Sequence, residues 1–124
     1  MPPPLISINL LIYNGEKYIE PCLDSVLAQT YSNIEILIID NASIDSTVDY
    51  LKESRIKNQE LRIIFNQENL GFAAGHNQGI KESKGEFVLC LNQDVVLDKN
   101  FVKEAIKVFQ SDKEIAAVQG KLLR

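Results

Sequence analysis

The sequence has little of what marks several common classes of protein. Two cysteines among 124 residues are too few for a disulfide framework, and they lie too far apart for a zinc site. Lysine and arginine number 13 against 17 acidic residues, and the net charge of −4 argues against a nucleic-acid-binding surface. No apolar run approaches the roughly 20 residues of a membrane-spanning helix, and Met1-Pro2-Pro3-Pro4 is unlike a signal peptide. We therefore predict a cytoplasmic protein that binds no nucleic acid.

Several well-known sequence motifs are also missing. No G-x-G-x-x-G follows the first apolar run, and no phosphate-binding loop ends in Gly-Lys-Ser or Gly-Lys-Thr. No G-x-S-x-G elbow supplies a nucleophile for the single histidine, His76. Cys22 and Cys90 both lie in apolar patterns, and free cysteine is among the residue types most often buried. Both are predicted to be buried, reduced thiols.

Four apolar runs alternate with segments whose apolar residues recur at helical spacing. The runs at 5–12, 34–39, 61–65 and 86–91 are typical of strands buried in a parallel sheet. Helices are predicted over 16 to about 29, after a cap near Ser43 or Asp45, through the glycine-spaced segment from 71, and after a cap at Asp98. A fifth apolar run begins at 115–118. The alternation predicts a single α/β domain with a mainly parallel sheet.

Polar residues follow each predicted strand, at 13–16, 40–45, 69–72 and 92–94. Ligands of open α/β sheets bind beyond the carboxyl ends of the strands, so these stretches are the first candidates for a site. Three of the four bring a carboxylate, which predicts one polar, acid-rich rim. Taken singly, Asp40 also suits a turn, Asn14 a helix cap and Asp94 a solvated loop.

Three of the six glycines, Gly71, Gly75 and Gly79, are spaced four residues apart. This spacing places them on one face of a helix, where a missing side chain allows close approach of a sheet or of a ligand. Both interpretations stay open from the sequence. His76 has no visible nucleophile to serve, so we interpret it as a ligand contact and not as a base.

The motifs together resemble family 2 glycosyltransferases over almost the whole chain and in the same order. The similarity begins with SINLLIYNGEKYI at 7–19 and continues through CLDSVLAQTY at 22–31 and IIDNASID at 38–45. ENLGFAAGHNQGI at 68–80 and LNQDV at 91–95 are most similar to the rhamnosyltransferase-like branch.

The resemblance implies the GT-A fold, a three-layer Rossmann-like domain that binds a nucleotide sugar. It implies a hexosyltransferase that performs an inverting, metal-assisted transfer to a glycan or lipid-linked acceptor, in cell wall or polysaccharide biosynthesis. Such a reaction would take place in the cytoplasm, in some cases at the inner face of the membrane. The leaving nucleoside diphosphate develops negative charge, which a cation must stabilise.

The resemblance also assigns roles to individual residues. Tyr13, Asn14 and Glu16 would line the nucleoside pocket, and Asp40 would hydrogen-bond the base. Asn92 and Asp94 stand at the Asp-x-Asp motif of the family, where Asp94 would coordinate Mg²⁺ or Mn²⁺. Gly75 and His76 would lie near the diphosphate or the sugar.

The chain departs from the family pattern in composition and in length. Leu11 and Ile12 stand where the family usually has Pro and Thr, and Asn92 replaces the first acid of the metal motif. The carboxylate general base is expected beyond Arg124. Residues 1–124 would then be the N-terminal, donor-binding portion of a truncated GT-A domain, incomplete as a catalyst.

Two hypotheses from other classes follow from the same residues. A non-catalytic nucleotide-sugar-binding or assembly module would use the apolar surface of a shortened sheet, for example to form a homodimer. A receiver-like signalling domain would use Asp40 as phosphoacceptor, but the acidic pair expected after the first strand is absent, since 11–14 reads LIYN.

Overall fold

Four strands and four helices alternate along the chain in a computed structural model, which describes residues 2–123. The strands are β1 (Ile6–Ile12), β2 (Ile34–Asp40), β3 (Arg62–Phe65) and β4 (Phe87–Asn92). The helices are α1 (Ile19–Leu27), α2 (Thr47–Lys57), α3 (Phe72–Glu82) and α4 (Phe101–Ser111). The predicted α/β alternation is confirmed, although α1 starts three residues later than predicted.

The strands form one parallel sheet in the order β3-β2-β1-β4. Right-handed crossovers place α1 and α2 on one face, because β1, β2 and β3 follow one another in the same direction. The chain then returns past β1 to β4, so α3 lies on the opposite face. With α4 beside α1, the result is the three-layer fold that the sequence predicted.

The two faces of the sheet have cores of unequal size. Every residue of β1 is buried, because this central strand is covered on both sides. The larger core lies under α1, α2 and α4 and includes Ile8, Leu10, Leu23 and Ile106. A smaller core under α3 consists of Leu11, Leu37 and Ile39, with Ile64 packed against it.

Close packing of α3 on the sheet explains two of the three spaced glycines. A Cβ atom on Gly75 would lie 2.5 Å from Leu11 Cδ1, and one on Gly79 would lie 2.7 Å from Ile39 Cδ1. Both distances are far inside van der Waals contact. Of the two interpretations left open by the sequence, these glycines therefore support helix–sheet packing.

The β4 side of the molecule differs from expectation at one cysteine. The fifth apolar run, at 115–118, has no regular structure and lies along a groove between β4 and α4. Two of its residues are alanine, which is depleted in strands. Cys22 is a buried free thiol as predicted, but Cys90 is exposed. The reason is that β4 is an edge strand, and α3 packs on β1 and β2 instead.

Among residues 2–123, no helix combines the length and the apolar character needed to cross a bilayer.

Candidate functional site

A cleft of about 390 Å³ opens beyond the carboxyl ends of β1 and β4. The strand order reverses at this pair, because β2 and β3 lie on one side of β1 and β4 lies on the other. Open α/β sheets bind ligands at such a switch point. The lining residues come from all four predicted rim stretches or their neighbours: Leu11, Tyr13, Tyr18, Asn41, Asn69, Gly71, Phe72, Asn92, Gln93 and Asp94.

Three of the site residues assigned by the resemblance line this cleft. Tyr13 follows β1, while Asn92 ends β4 and Asp94 lies in the turn after it. A hydrogen bond joins the two strand ends, since the Tyr13 N–H donates to Gln93 Oε1 at 3.0 Å. Asp94 is exposed, so its carboxylate is available to a ligand.

Residues 14–16 after β1 are bonded to residues 43–47 before α2, and we call this pair of segments the loop clamp. Three consecutive N–H groups donate to side chains of the second segment: Asn14 to Ser43 Oγ at 2.8 Å, Gly15 to Thr47 Oγ1 at 2.9 Å and Glu16 to Asp45 Oδ2 at 3.2 Å. The clamp delays the start of α1, because these residues are held in a loop conformation.

The loop clamp is reciprocal. Asn14 Oδ1 accepts from the Ile44 N–H at 2.9 Å, and Glu16 Oε2 accepts from the Ser46 N–H at 3.1 Å. Neither Asn14 nor Glu16 lines the cleft. Their side chains stabilise the loops behind it, and the predicted contact of these two residues with a nucleoside stays a prediction.

Asp45 illustrates the electrostatics of the loop clamp. Burial disfavours its charged form, but hydrogen bonds from the Thr47 hydroxyl and N–H and from the Glu16 N–H outweigh that cost and lower the pKa of its carboxyl. Asp45 Oδ1 accepts from the N–H of Thr47, the first residue of α2, at 2.9 Å, although the N-cap position itself is Ser46 and has no side-chain cap bond.

Asp40 is the most deeply buried acid of the rim, with 1% of its surface exposed. Both of its oxygens accept from Ser43, Oδ1 from the hydroxyl at 2.5 Å and Oδ2 from the N–H at 3.2 Å. The neighbouring Ala42 has a φ of 63°, a left-handed conformation that the bonded turn imposes. The predicted hydrogen bond from Asp40 to a base stays a prediction.

The predicted acid-rich rim contributes few of its acids to the cleft itself. Asp94 is the one acid among the lining residues, whereas four of them are amides: Asn41, Asn69, Asn92 and Gln93. The other rim carboxylates accept hydrogen bonds from backbone N–H groups, which would otherwise lack partners in tightly packed loops.

Gly75 and His76 lie one layer behind the cleft, on the side of α3 that faces the sheet. His76 is 5% exposed, and its Nε2 is 3.5 Å from Asn92 Oδ1. The edge of its ring packs against Phe72, with ring centroids 4.7 Å apart. His76 thus contacts two lining residues without lining the cleft itself.

A buried thiol supports the end of β4 from the other face. Cys22 Sγ donates to the backbone oxygen of Asn92 at 3.7 Å. Burial raises the pKa of the Cys22 thiol to about 11, and the charge of Asp94 adds to this effect. The group is therefore an uncharged packing residue at neutral pH.

Several lining residues were not singled out from the sequence, although most lie within the predicted rim stretches. Asn41, Asn69 and Gln93 each follow a strand, and their position was the available signal. Tyr18 has no such signal because it precedes α1. Which residue of each stretch faces the cleft depends on loop conformation.

The donor atoms of the cleft suit a divalent metal shared with a ligand. Asp94 brings a carboxylate, and Asn92 and Gln93 bring amide oxygens. Among residues 2–123, no group of three or more His, Cys, Asp or Glu side chains could hold an ion. Because Mg²⁺ is usually held by one or two carboxylates together with substrate phosphates, this donor set fits a metal bound jointly with a diphosphate.

Helices on both faces of a parallel sheet, with a polar cleft at the switch point, define a Rossmann-like ligand-binding domain. Residues 7–122 match the family described as Glycosyl transferase family 2. The chain belongs to this family, and the recognition based on its motifs is confirmed.

Named relatives and solved structures agree with this assignment. The poly-beta-1,6-N-acetyl-D-glucosamine synthase of Staphylococcus aureus is 35% identical over 115 residues, which are 93% of this chain and 28% of the synthase. The chain spans about a third of the length of the curated relatives that it matches.

Two solved structures support the GT-A fold. Staphylococcus aureus TarS 1–349 in complex with UDP has a TM-score of 0.79 and 26% identity, covering 97% of this chain and 38% of that one. The mannosyltransferase PcManGT of Pyrobaculum calidifontis, in complex with GDP-Man and Mn²⁺, has a TM-score of 0.80 and 23% identity. That match covers 86% of this chain and 32% of PcManGT.

Proposed function

We propose that this chain carries the donor site of a family 2 glycosyltransferase and that its cleft binds the nucleoside diphosphate of a sugar donor. One observation carries the proposal: Tyr13, Asn92 and Asp94, which the resemblance assigns to the donor, line one cleft at the switch point of the sheet. The reaction is an inverting hexosyl transfer of the rhamnosyltransferase-like branch. The complexes of TarS with UDP and of PcManGT with GDP-Man support this class of ligand.

The composition of the cleft suits the parts of a nucleotide. Tyr13 and Phe72 offer aromatic surface to a base, and both are partly exposed, at 39% and 63%. The exposed side chain of Asn69 offers its amide nitrogen as a donor to the polar edges of the base or to the ribose. Apolar walls with a few placed polar groups are typical of small-molecule sites.

Asp94 would hold Mg²⁺ or Mn²⁺ together with the diphosphate, and Asn92 would contact the ribose or the metal. When bound, the metal supplies positive charge that stabilises the departing nucleoside diphosphate. The other residues assigned by the resemblance, which are Asn14, Glu16, Asp40, Gly75 and His76, stay in the proposed site and mostly form the layer behind its lining.

The acceptor side of the reaction needs residues besides these. Asp94, the one carboxylate of the described cleft, is assigned to the metal, so a separate carboxylate must serve as general base. The relatives are about three times as long as this chain, and we place the base and the glycan or lipid-linked acceptor site in their additional part. The polysaccharide synthase among the relatives supports a role in cell wall or polysaccharide biosynthesis. A location in the cytoplasm, at the inner face of the membrane, follows from the family resemblance alone.

Thermal denaturation with UDP, dTDP and GDP, each with and without Mn²⁺, tests the donor site. A nucleotide at ten times its Kd stabilises the folded state by about 1.4 kcal/mol, which raises the Tm of a domain of this size by roughly 5 °C. We expect such a shift with at least one nucleotide, and we expect it to depend on Mn²⁺.

Asp94→Asn should abolish the Mn²⁺-dependent part of the shift. Asp112→Asn is the matched control, because Asp112 lies in an exposed turn after α4, at the opposite end of the sheet. Asp40→Ala tests the predicted contact with the base. If none of the three nucleotides shifts the Tm of the unmodified chain, the donor-site proposal is wrong.

A second candidate function, an assembly module, is favoured by the apolar groove beside β4. The outer edge of β4 is not paired with another strand of the described sheet, and a groove of about 270 Å³ runs along it between Phe87, Leu89, Phe101 and Val118. An unpaired edge with apolar flanks can pair with a second copy of the chain. Light scattering during size-exclusion chromatography should then detect a dimer whose fraction grows with concentration, and a monomer at all concentrations would contradict it.

A further inference from the structure

Three amide side chains from three different elements are hydrogen-bonded in series behind one wall of the cleft. Asn66 and Gln78 exchange two bonds of 2.9 Å, each through its amide nitrogen and the other's oxygen. Asn66 Nδ2 also donates to Asn41 Oδ1 at 3.0 Å. Asn41 follows β2, Asn66 follows β3 and Gln78 lies on α3. We call these three residues the amide relay.

The bonds of the amide relay determine the orientation of the Asn41 amide. Its oxygen faces the donor from Asn66, so its nitrogen is directed the other way and donates to the Gly71 carbonyl at 3.1 Å. The same carbonyl accepts the first helical bond of α3, from the Gly75 N–H at 3.1 Å. The amide relay therefore connects the end of β2 to the start of α3.

The segment that the amide relay holds forms part of the cleft. Asn69, Gly71 and Phe72 line it, whereas Asn66 and Gln78 do not. Gly71, the N-cap of α3, has a φ of 87° and no side chain to cap the helix, and its N–H donates to Asn69 Oδ1 at 2.8 Å. The contact from Asn41 adds a bond to the Gly71 carbonyl from a distant part of the chain.

We propose that Asn66 and Gln78 are positioning residues for nucleotide binding, acting through Asn41 on the wall formed by Asn69, Gly71 and Phe72. The inference rests on the proposed donor site. A wall held in place before the ligand arrives does not have to be ordered during binding, which strengthens affinity. A network whose members all have partners is also rigid, and it weakens sharply when one partner is lost.

Gln78→Glu is the principal test. A carboxylate still accepts from Asn66 Nδ2 but cannot donate to Asn66 Oδ1, so two oxygens face each other. Gln110→Glu is the matched control, since it makes the same change at an exposed position of α4. Isothermal titration with UDP, dTDP and GDP, each with Mn²⁺, should show binding weakened roughly tenfold for Gln78→Glu and unchanged for Gln110→Glu.

A variant that exchanges Asn66 and Gln78 distinguishes an effect of the hydrogen bonds between the amides from an effect of side-chain packing. Asn66→Gln alone should weaken binding, and Asn66→Gln combined with Gln78→Asn should restore it to within roughly twofold, because the paired amides keep their combined length. Hydrogen exchange of the Gly75 N–H, without nucleotide, should be faster in Gln78→Glu and normal in the exchanged pair.

The outcomes distinguish this inference from the proposed function. If the unmodified chain binds a nucleotide and Gln78→Glu binds it equally well, the positioning role is wrong while the donor site stands. Failure of the exchanged pair to restore binding, when its Gly75 N–H is protected as in the unmodified chain, would also overturn the positioning role. If the unmodified chain binds none of UDP, dTDP and GDP, the donor site is overturned and the inference falls with it.

Discussion

The loop clamp and the end of β4 contain the same kinds of side chain, acids and amides, but they use them differently. In the loop clamp, Asn14, Glu16 and Asp45 accept hydrogen bonds from backbone N–H groups and do not line the cleft. At the end of β4, Asp94 is exposed in the cleft. The family motifs thus contain both residues that hold the loops and residues that face the cleft.

Backbone conformation explains why the first region uses its polar groups internally. Asn14 and Ala42 have φ values of 45° and 63°, which are uncommon for residues other than glycine. Such residues cost of order 1–3 kcal/mol each, and they persist only where the surroundings impose them. The hydrogen bonds of the loop clamp and of Asp40 offset that cost. Within the described residues 2–123, the turn after β4 contains no residue with a positive φ.

The largest expected difference between the two regions is in stability. Asp40→Ala should lower the free energy of unfolding by about 2 kcal/mol, because it removes a buried side chain that accepts from two part-buried donors of Ser43. Asp94→Ala should change it by less than about 0.5 kcal/mol, since the carboxylate is exposed. Urea denaturation of both variants measures this contrast, and equal losses would contradict it.

A smaller effect is expected for a single bond of the loop clamp. Thr47→Val keeps the shape of the buried side chain but removes the acceptor of the Gly15 N–H, which should cost about 1–2 kcal/mol. Thr30→Val is the control, because Thr30 is exposed and its hydroxyl bonds to Asn100 at the surface. Chemical denaturation should separate the two variants, and similar midpoints would argue that the loop clamp contributes little.

The smallest effect is a dependence on pH. Hydrogen bonding lowers the pKa of Asp45 in the folded state despite its burial, so the ionised carboxyl stabilises the fold above its ordinary pKa of 3.8. That contribution is lost as the pH falls below this value, and screening by solvent keeps it within about 0.5 kcal/mol. Asp45→Asn should therefore be slightly less stable than the unmodified chain at pH 7, and the difference should shrink as the pH falls below the ordinary pKa. A difference that grows on acidification would contradict this sign.

Much of the fold could be predicted from local patterns. The apolar runs at 5–12 and 34–39 correspond closely to β1 and β2, because branched apolar residues in continuous runs are typical of buried parallel strands. The run at 115–118 has no regular structure, since a short apolar segment packs equally well without becoming a strand. Cys90 was misplaced because edge position is not encoded in the strand's own sequence.

The candidate site was predictable as a region but not residue by residue. The rim stretches were located correctly, because the carboxyl ends of parallel strands meet at one edge of the sheet. Within 40–45, however, the sequence favoured Asp40, whereas Asn41 lines the cleft and Asp40 is buried against Ser43. Adjacent side chains at a strand end point in opposite directions, so a shift of one position changes the role.

The sequence alone therefore determined the α/β alternation, the family and the stretches that carry the site, since all three depend on patterns within short segments. Only the tertiary structure decided which polar groups face the cleft. The partners in the loop clamp are 29 to 32 residues apart, and Asn41 lies 30 residues from Gly71. Hydrogen bonds over such separations exist only after the sheet has brought the loops together, because each buried donor takes whichever acceptor the fold places beside it.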